Sequence, residues 1–235
     1  MVELWARITA QQPVPGPQAT LVLGLIALAL VVLVWPVVRM LATVVHEAGH
    51  AVVAMLVGRK LQGIRLHRDT SGLTVTRGRR TGPGMVATLL AGYPAPALFG
   101  LAAAVVLAQG YAVALLWGCL LALALMLLQI RNLVGFGVIV VALAGVGLAT
   151  WYLPPEQQSW LAYLLTWVLL LSGPRAAVEL GLHPGPSSDP GQLAQLTRIP
   201  TVLWTALFAT ISVLSTLAGV AVLLPHLLRY WGALF

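Results

Sequence analysis

Apolar runs long enough to span a bilayer recur along this 235-residue chain, at about 20–35, 37–57, 84–108, 111–129, 133–153, 158–172 and 199–224. In lipid, only helices and closed barrels satisfy every backbone N–H and C=O. None of the runs shows the ten-residue apolar/polar alternation of a barrel strand. The fold class is therefore an all-α polytopic membrane protein with six to seven transmembrane helices. Composition agrees: 60% of residues are hydrophobic and 8% charged, and the mean hydropathy is +0.94. Soluble domains carry about 25% charged residues, so a soluble or disordered chain is excluded. A single cysteine, Cys119, excludes a disulfide framework and any cysteine-based metal centre. The net charge of +7 marks a cytoplasmic membrane face, not a nucleic-acid partner.

The loops set the orientation. Residues 58–80 hold Arg59, Lys60, Arg65, Arg68, Arg77, Arg79 and Arg80, seven of the thirteen positive charges. That loop is expected in the cytoplasm. Alternation then puts 109–110 and 154–157 outside and Arg131 and 173–198 inside. The two outside turns carry no Lys or Arg, and the inside segments carry Arg131, Arg175 and Arg198. The polar, proline-rich residues 1–19 precede an apolar run with no small-residue cleavage signal, which reads as an uncleaved first span. Residues 20–57 would form one helix of roughly 55 Å, too long for one crossing of a ~30 Å core. They either break at Pro36 into two elements or make one steeply tilted, kinked helix. Trp151, Tyr152, Trp160, Tyr230 and Trp231 read as interfacial anchors.

One stretch breaks the helical pattern. Ile64 and Leu66 alternate with polar residues, as do Leu73 and Val75, around Asp69-Thr70-Ser71-Gly72. This reads as a small β-hairpin on the membrane surface. The chain is then one membrane-embedded domain: an N-terminal polar segment (1–19), first helices (20–57), hairpin (58–82), central spans (83–172), a cytoplasmic loop with short helices (173–198) and a last span (199–235).

The chemistry concentrates in His46-Glu47-Ala48-Gly49-His50, an H-E-x-x-H sequence. Residues four apart share a helix face, so both imidazoles can bind one zinc ion. Glu47 can serve as general base toward water at the metal. Ionisable residues inside a membrane segment are costly and mark function. His50 lies eight residues before Gly58, about 12 Å of helix from the cytoplasmic loop. The alternative is a polar packing cluster without metal.

A helix bearing this motif, then Gly58, then a basic hairpin, then Ala91-Gly92-Tyr93-Pro94, resembles the site-two-protease family of intramembrane zinc metalloproteases. The likeness is nearest to its bacterial, metalloprotease-like branch of small multi-pass proteins. It covers most of residues 40–215 and includes Ser188-Asp189, Leu193-Ala194 and a Pro-Thr-x-x-Trp stretch. The resemblance implies Zn²⁺ as cofactor, Glu47 as catalytic base, and His46 and His50 as metal ligands. It implies a membrane-anchored protein substrate and a place in the bacterial cytoplasmic membrane. One departure matters. The family takes its third ligand from an Asp-Gly pair preceded by asparagine, and this chain reads Arg131-Asn132-Leu133-Val134-Gly135.

The remaining acids and histidines are few. Glu156 and His226 fall on the outer side, and Glu3 lies near the N-terminus. His67 and Asp69 flank the hairpin turn, where a solvated charge is the ordinary reading. Asp189, where the resembling branch has its Ser-Asp, would complete a two-His, one-carboxylate site. Glu179 and His183 are the alternative third ligands. Ser188-Asp189-Pro190 is equally a helix start, with Asp189 as N-cap and Pro190 at the first helical position. Gly92, Tyr93 and Asn132 are candidates for lining the cavity or positioning substrate. For the Ala91–Pro96 stretch, the alternative is an ordinary proline kink.

Three functions compete. The first is an intramembrane zinc endopeptidase that holds an unwound substrate along an open edge of the 61–77 hairpin. The second is a non-catalytic scaffold that keeps a degenerate protease fold. The third is a transporter with a proton relay, which would spread its ionisable residues over several spans.

Overall fold

The computed structural model describes residues 2–183 and 185–226. Helix α1 (Val2–Thr9) leads into α2 (Pro17–Leu33) and α3 (Trp35–Leu56). Strands β1 (Lys60–Leu66) and β2 (Gly72–Arg77) form a hairpin, followed by α4 (Pro83–Leu90) and α5 (Ala95–Ala108). Then come α6 (Ala112–Gln129), α7 (Leu133–Tyr152), α8 (Pro155–Leu182), the short α9 (Asp189–Thr197) and α10 (Thr201–Leu223). Among the described residues, five helices are long and apolar enough to cross a membrane, and the bent pair α4–α5 makes a sixth. This is the all-α polytopic architecture with one small antiparallel sheet. The expected anchors Tyr230 and Trp231 lie outside the described residues.

Prolines decide where these helices break. Residues 20–57 form two elements, with Val34 in a non-helical conformation between them and Pro36 in the first turn of α3. Proline lacks an N–H, so it is at home in a first turn and disruptive deeper in a helix. Trp35, at the start of α3, meets Glu179 and Arg175 near the end of α8. Gly49, fourteen residues on, packs on Ala95, two positions before the Ala97 that touches Gly173 of α8. The break at Val34 divides residues 20–57 into α2 and α3, which resolves their length problem.

Helix α8 does not end near 172. It continues through Pro174 to Leu182. Pro174 leaves the Leu170 carbonyl without its helical donor, and the Thr216 hydroxyl of α10 donates to that carbonyl at 2.6 Å. A neighbouring hydroxyl that satisfies the freed group is what lets proline sit inside a membrane helix. The extension carries Glu179 and His183 to the wall of the cavity described below.

The core has three apolar clusters. The largest joins α2, α5, α6, α8 and α10 around Tyr163, Trp167 and Leu170. A second seats the hairpin: Ile64 and Leu66 pack with Val44 and Ala51 of α3, Met126 and Ile130 of the α6 end, and Ile139 of α7. A third, with Leu89, Leu180, Leu193 and Phe208, pins α9 against α4, α8 and α10. The two strands pair in antiparallel register from Lys60↔Arg77 to Leu66↔Gly72, with a bulge at Leu61/Gly63.

Candidate metal centre

Three elements converge on the H-E-x-x-H turn of α3. The first is the break between α4 and α5, where the axis bends by 67°. Because α4 stops, the Thr88 carbonyl is bonded within the helix only by Ala91 N–H, at 3.2 Å, and it also accepts a hydrogen bond from His50 Nδ1 at 2.7 Å. A carbonyl oxygen can only accept, so the ring nitrogen facing it, His50 Nδ1, carries the proton and a neutral ring presents a lone pair on Nε2. Gly92 fills the same break. A Cβ there would lie 2.5 Å from His50 Cε1 and Nε2 and 2.6 Å from His46 Cε1, so no side chain fits. Gly49 lies over the Ala91 carbonyl and Ala95 for the same reason. Tyr93 packs edge-on against the His46 ring at 4.8 Å between centroids and stacks on Phe208. The Ala91–Pro96 kink is thus also the wall behind both imidazoles.

The second element is the start of α9. His46 Nε2 and His50 Nε2 are 3.0 Å apart. Asp189 Oδ2 lies 3.3 Å from the first and 3.2 Å from the second. That oxygen is buried and makes no hydrogen bond. Three donors around a tetrahedral zinc at 2.0–2.1 Å would be about 3.3 Å apart. The observed triangle fits a divalent metal with one open position, and an unpartnered buried carboxylate oxygen is what such a metal would satisfy. Among the described residues, this is the group of three side chains that could hold a metal ion.

The helix-start reading of Asp189 needs a correction. The N-cap of α9 is Ser188, whose hydroxyl accepts from Gly191 N–H at 3.3 Å. Asp189 is the first helical residue and Pro190 the second. Capping therefore does not occupy the Asp189 carboxylate.

The third element is the hairpin. Thr74 Oγ1 donates to Glu47 Oε2 at 2.5 Å, and Thr43 Oγ1 donates to the Thr70 carbonyl at 2.8 Å. Glu47 is buried, with 3% of its surface exposed. His46, Glu47 and Asp189 line a cavity of about 500 Å³ together with Gly72, Tyr93 and Ser188, and Arg39, Glu179 and His183 also line it.

The other candidates separate by position. Glu179 is engaged by Trp35 Nε1 at 3.0 Å and Arg39 at 3.4 Å, so its carboxylate already has partners. His183 lines the cavity without joining the triangle. Asn132, expected at the cavity, clamps the hairpin instead. Its amide donates to the Leu66 carbonyl at 2.6 Å and accepts from Leu66 N–H at 3.2 Å. In the hairpin turn, Asp69 accepts from the Ser71 hydroxyl and amide, which hold its carboxyl below the usual carboxylate range. Sequence reasoning did not find Thr74 or the Thr88 carbonyl. Thr74 carried no readable signal, because alternation with apolar Leu73 and Val75 would turn it outward, whereas in the structure Leu73 and Val75 are exposed and Thr74 faces α3.

The Peptidase M50B-like family model matches residues 19–219. The chain belongs to that family, as its resemblance to the site-two proteases implied. No curated protein and no solved structure matches it.

Proposed function

We propose that the chain is an intramembrane zinc metalloprotease that cleaves membrane-anchored proteins near the cytoplasmic side of the bilayer. The observation that carries this is the Asp189 carboxylate oxygen, buried, without a hydrogen bond and 3.2–3.3 Å from both histidine Nε2 atoms. In this reading the acid that the family takes from an Asp-Gly pair comes instead from Asp189, the first residue of α9, which counts against the scaffold reading. Zinc supplies Lewis acidity to the scissile carbonyl and to water. Glu47, one residue from His46, takes the proton from water and returns it to the leaving amine. Tyr93 and Gly92 hold the imidazoles in place, and the break in α4–α5 keeps His50 in the tautomer a metal needs.

The hairpin offers the substrate one free edge. Ile64 and Leu66 spend their outward backbone groups on Arg131 N–H and the Asn132 amide. By antiparallel alternation, Gly72 and Thr74, opposite them, turn their own N–H and C=O away from the sheet. An unwound substrate segment can join there as an added strand beside the cavity.

The test is a purified, reconstituted chain with a membrane-anchored substrate. One zinc per chain is expected. Chelation should stop cleavage, and zinc should restore it. A chain that holds zinc but never cleaves would return the scaffold reading to the front.

The orientation proposed for this chemistry puts residues 58–80 and 173–198 in the cytoplasm of a bacterial cell. In a Cys119→Ser background, cysteines placed at 70 and 187 should resist an impermeant thiol reagent added to intact cells. Efficient labelling from outside would invert the topology and deny the cavity its cytoplasmic access.

A further inference from the structure

A buried carboxylate is costly unless hydrogen bonds hold it. Among the described residues, Thr74 is the side chain that bonds Glu47. Its hydroxyl lies 2.5 Å from Oε2 and 3.2 Å from the Glu47 main-chain carbonyl. A hydroxyl has one proton, and the charged oxygen is the stronger acceptor. The other carboxylate oxygen, Oε1, lies against Gly72. A Cβ at that position would run into Glu47 Oε1, Cγ and Cδ. Two alternate residues of β2 therefore leave the carboxylate one orientation, with Oε2 held by Thr74 and Oε1 over a residue that has no side chain.

We propose that Thr74 is a positioning residue for Glu47, so that the strand offering its free edge to substrate also sets the direction of the base. This rests on the reading of Glu47 as general base. The side chain of Thr74 points to α3 and its backbone groups point out of the sheet at the substrate edge. A segment paired along Gly72–Thr76 is then registered against the base through one residue. Asn132 belongs to the same construction, because its clamp on Leu66 holds β1, and β1 holds β2.

The experiment compares Thr74→Val, which keeps the shape and removes the donor, with Thr74→Ser, which keeps the donor. In the zinc-loaded, reconstituted chain, Thr74→Val should lower kcat by about 10- to 100-fold, the range for loss of a residue that orients a reacting group. KM, zinc content and melting temperature should stay near wild type. Thr74→Ser should recover kcat. In the Glu47→Gln background, Thr74→Val should cost nothing further, since residues that act as a unit are not additive.

A second readout does not depend on activity. In metal-free protein, the infrared carboxylate band identified by its absence in Glu47→Gln should shift in Thr74→Val and return in Thr74→Ser. Wild-type kcat and an unshifted band in Thr74→Val overturn the inference while leaving the protease reading intact. Raised KM at unchanged kcat overturns it as well, because that is a strand-edge effect. An inactive wild-type chain instead counts against the protease reading itself, and the infrared comparison still decides whether Thr74 orients Glu47.

Discussion

Glu47→Gln is expected to keep one zinc per chain and to lose proteolysis by about 10²–10⁴-fold, the usual contribution of a positioned general base. Glutamine has the volume of glutamate and can still accept from Thr74 Oγ1 through its amide oxygen. The two imidazoles and Asp189 are untouched, so the metal centre should survive. What disappears is the proton acceptor beside His46. An uncleaved membrane substrate should accumulate in cells carrying the variant, and purified protein should show full zinc by elemental analysis. Undiminished cleavage would remove Glu47 from the mechanism, and loss of zinc would mean that the carboxylate supports the metal centre instead.

Asp189→Asn should weaken zinc binding by more than about 100-fold, beyond the effect of losing an outer-shell partner. Asparagine is nearly the same size but brings no charge and is a poor ligand for zinc. The structure sharpens this comparison because the cap of α9 is Ser188. The melting temperature of metal-free Asp189→Asn should therefore match wild type. Ser188→Ala should do the reverse, costing about 1 kcal/mol of stability through the lost cap while zinc is retained. A His46→Ala, His50→Ala double variant supplies the zero-zinc reference. Full zinc in Asp189→Asn would refute the ligand assignment and bring Glu179 or His183 forward from the same cavity.

Part of this molecule was legible in the sequence because the signals are local. Spanning segments declare themselves by uninterrupted apolar length, since lipid offers no partner for a polar side chain or an open backbone. The spacing of His46 and His50 states that both rings share a face. The alternation of Ile64, Leu66, Leu73 and Val75 marks a hairpin wherever it packs. Pro36 signals the break before α3 for the same local reason, a missing N–H.

What the sequence left open depends on partners distant along the chain. The apolar run 158–172 placed a span's end near 172, yet α8 runs on through Pro174 to Leu182, with the Thr216 hydroxyl of α10 taking up the Leu170 carbonyl. Asn132 read as a cavity residue because the resembling family has an asparagine before its Asp-Gly pair, yet its amide is spent on the Leu66 backbone 66 residues away.

Residues 40–60 determine by themselves that two imidazoles and a carboxylate stand on one turn of a membrane helix. Resemblance pointed to Asp189 among three candidates, but which of them stands beside the two imidazoles is decided by tertiary structure. Asp189 is 139 residues from His50, and local pattern equally allowed it to cap a helix. Burial of Leu193 against Leu89, Leu180 and Phe208 seats α9, the Ser188 hydroxyl takes the cap, and the Asp189 carboxylate is left to face the two histidines. A side chain at such a separation is placed by the packing of the helices that carry it, and no spacing rule in the chain encodes that packing.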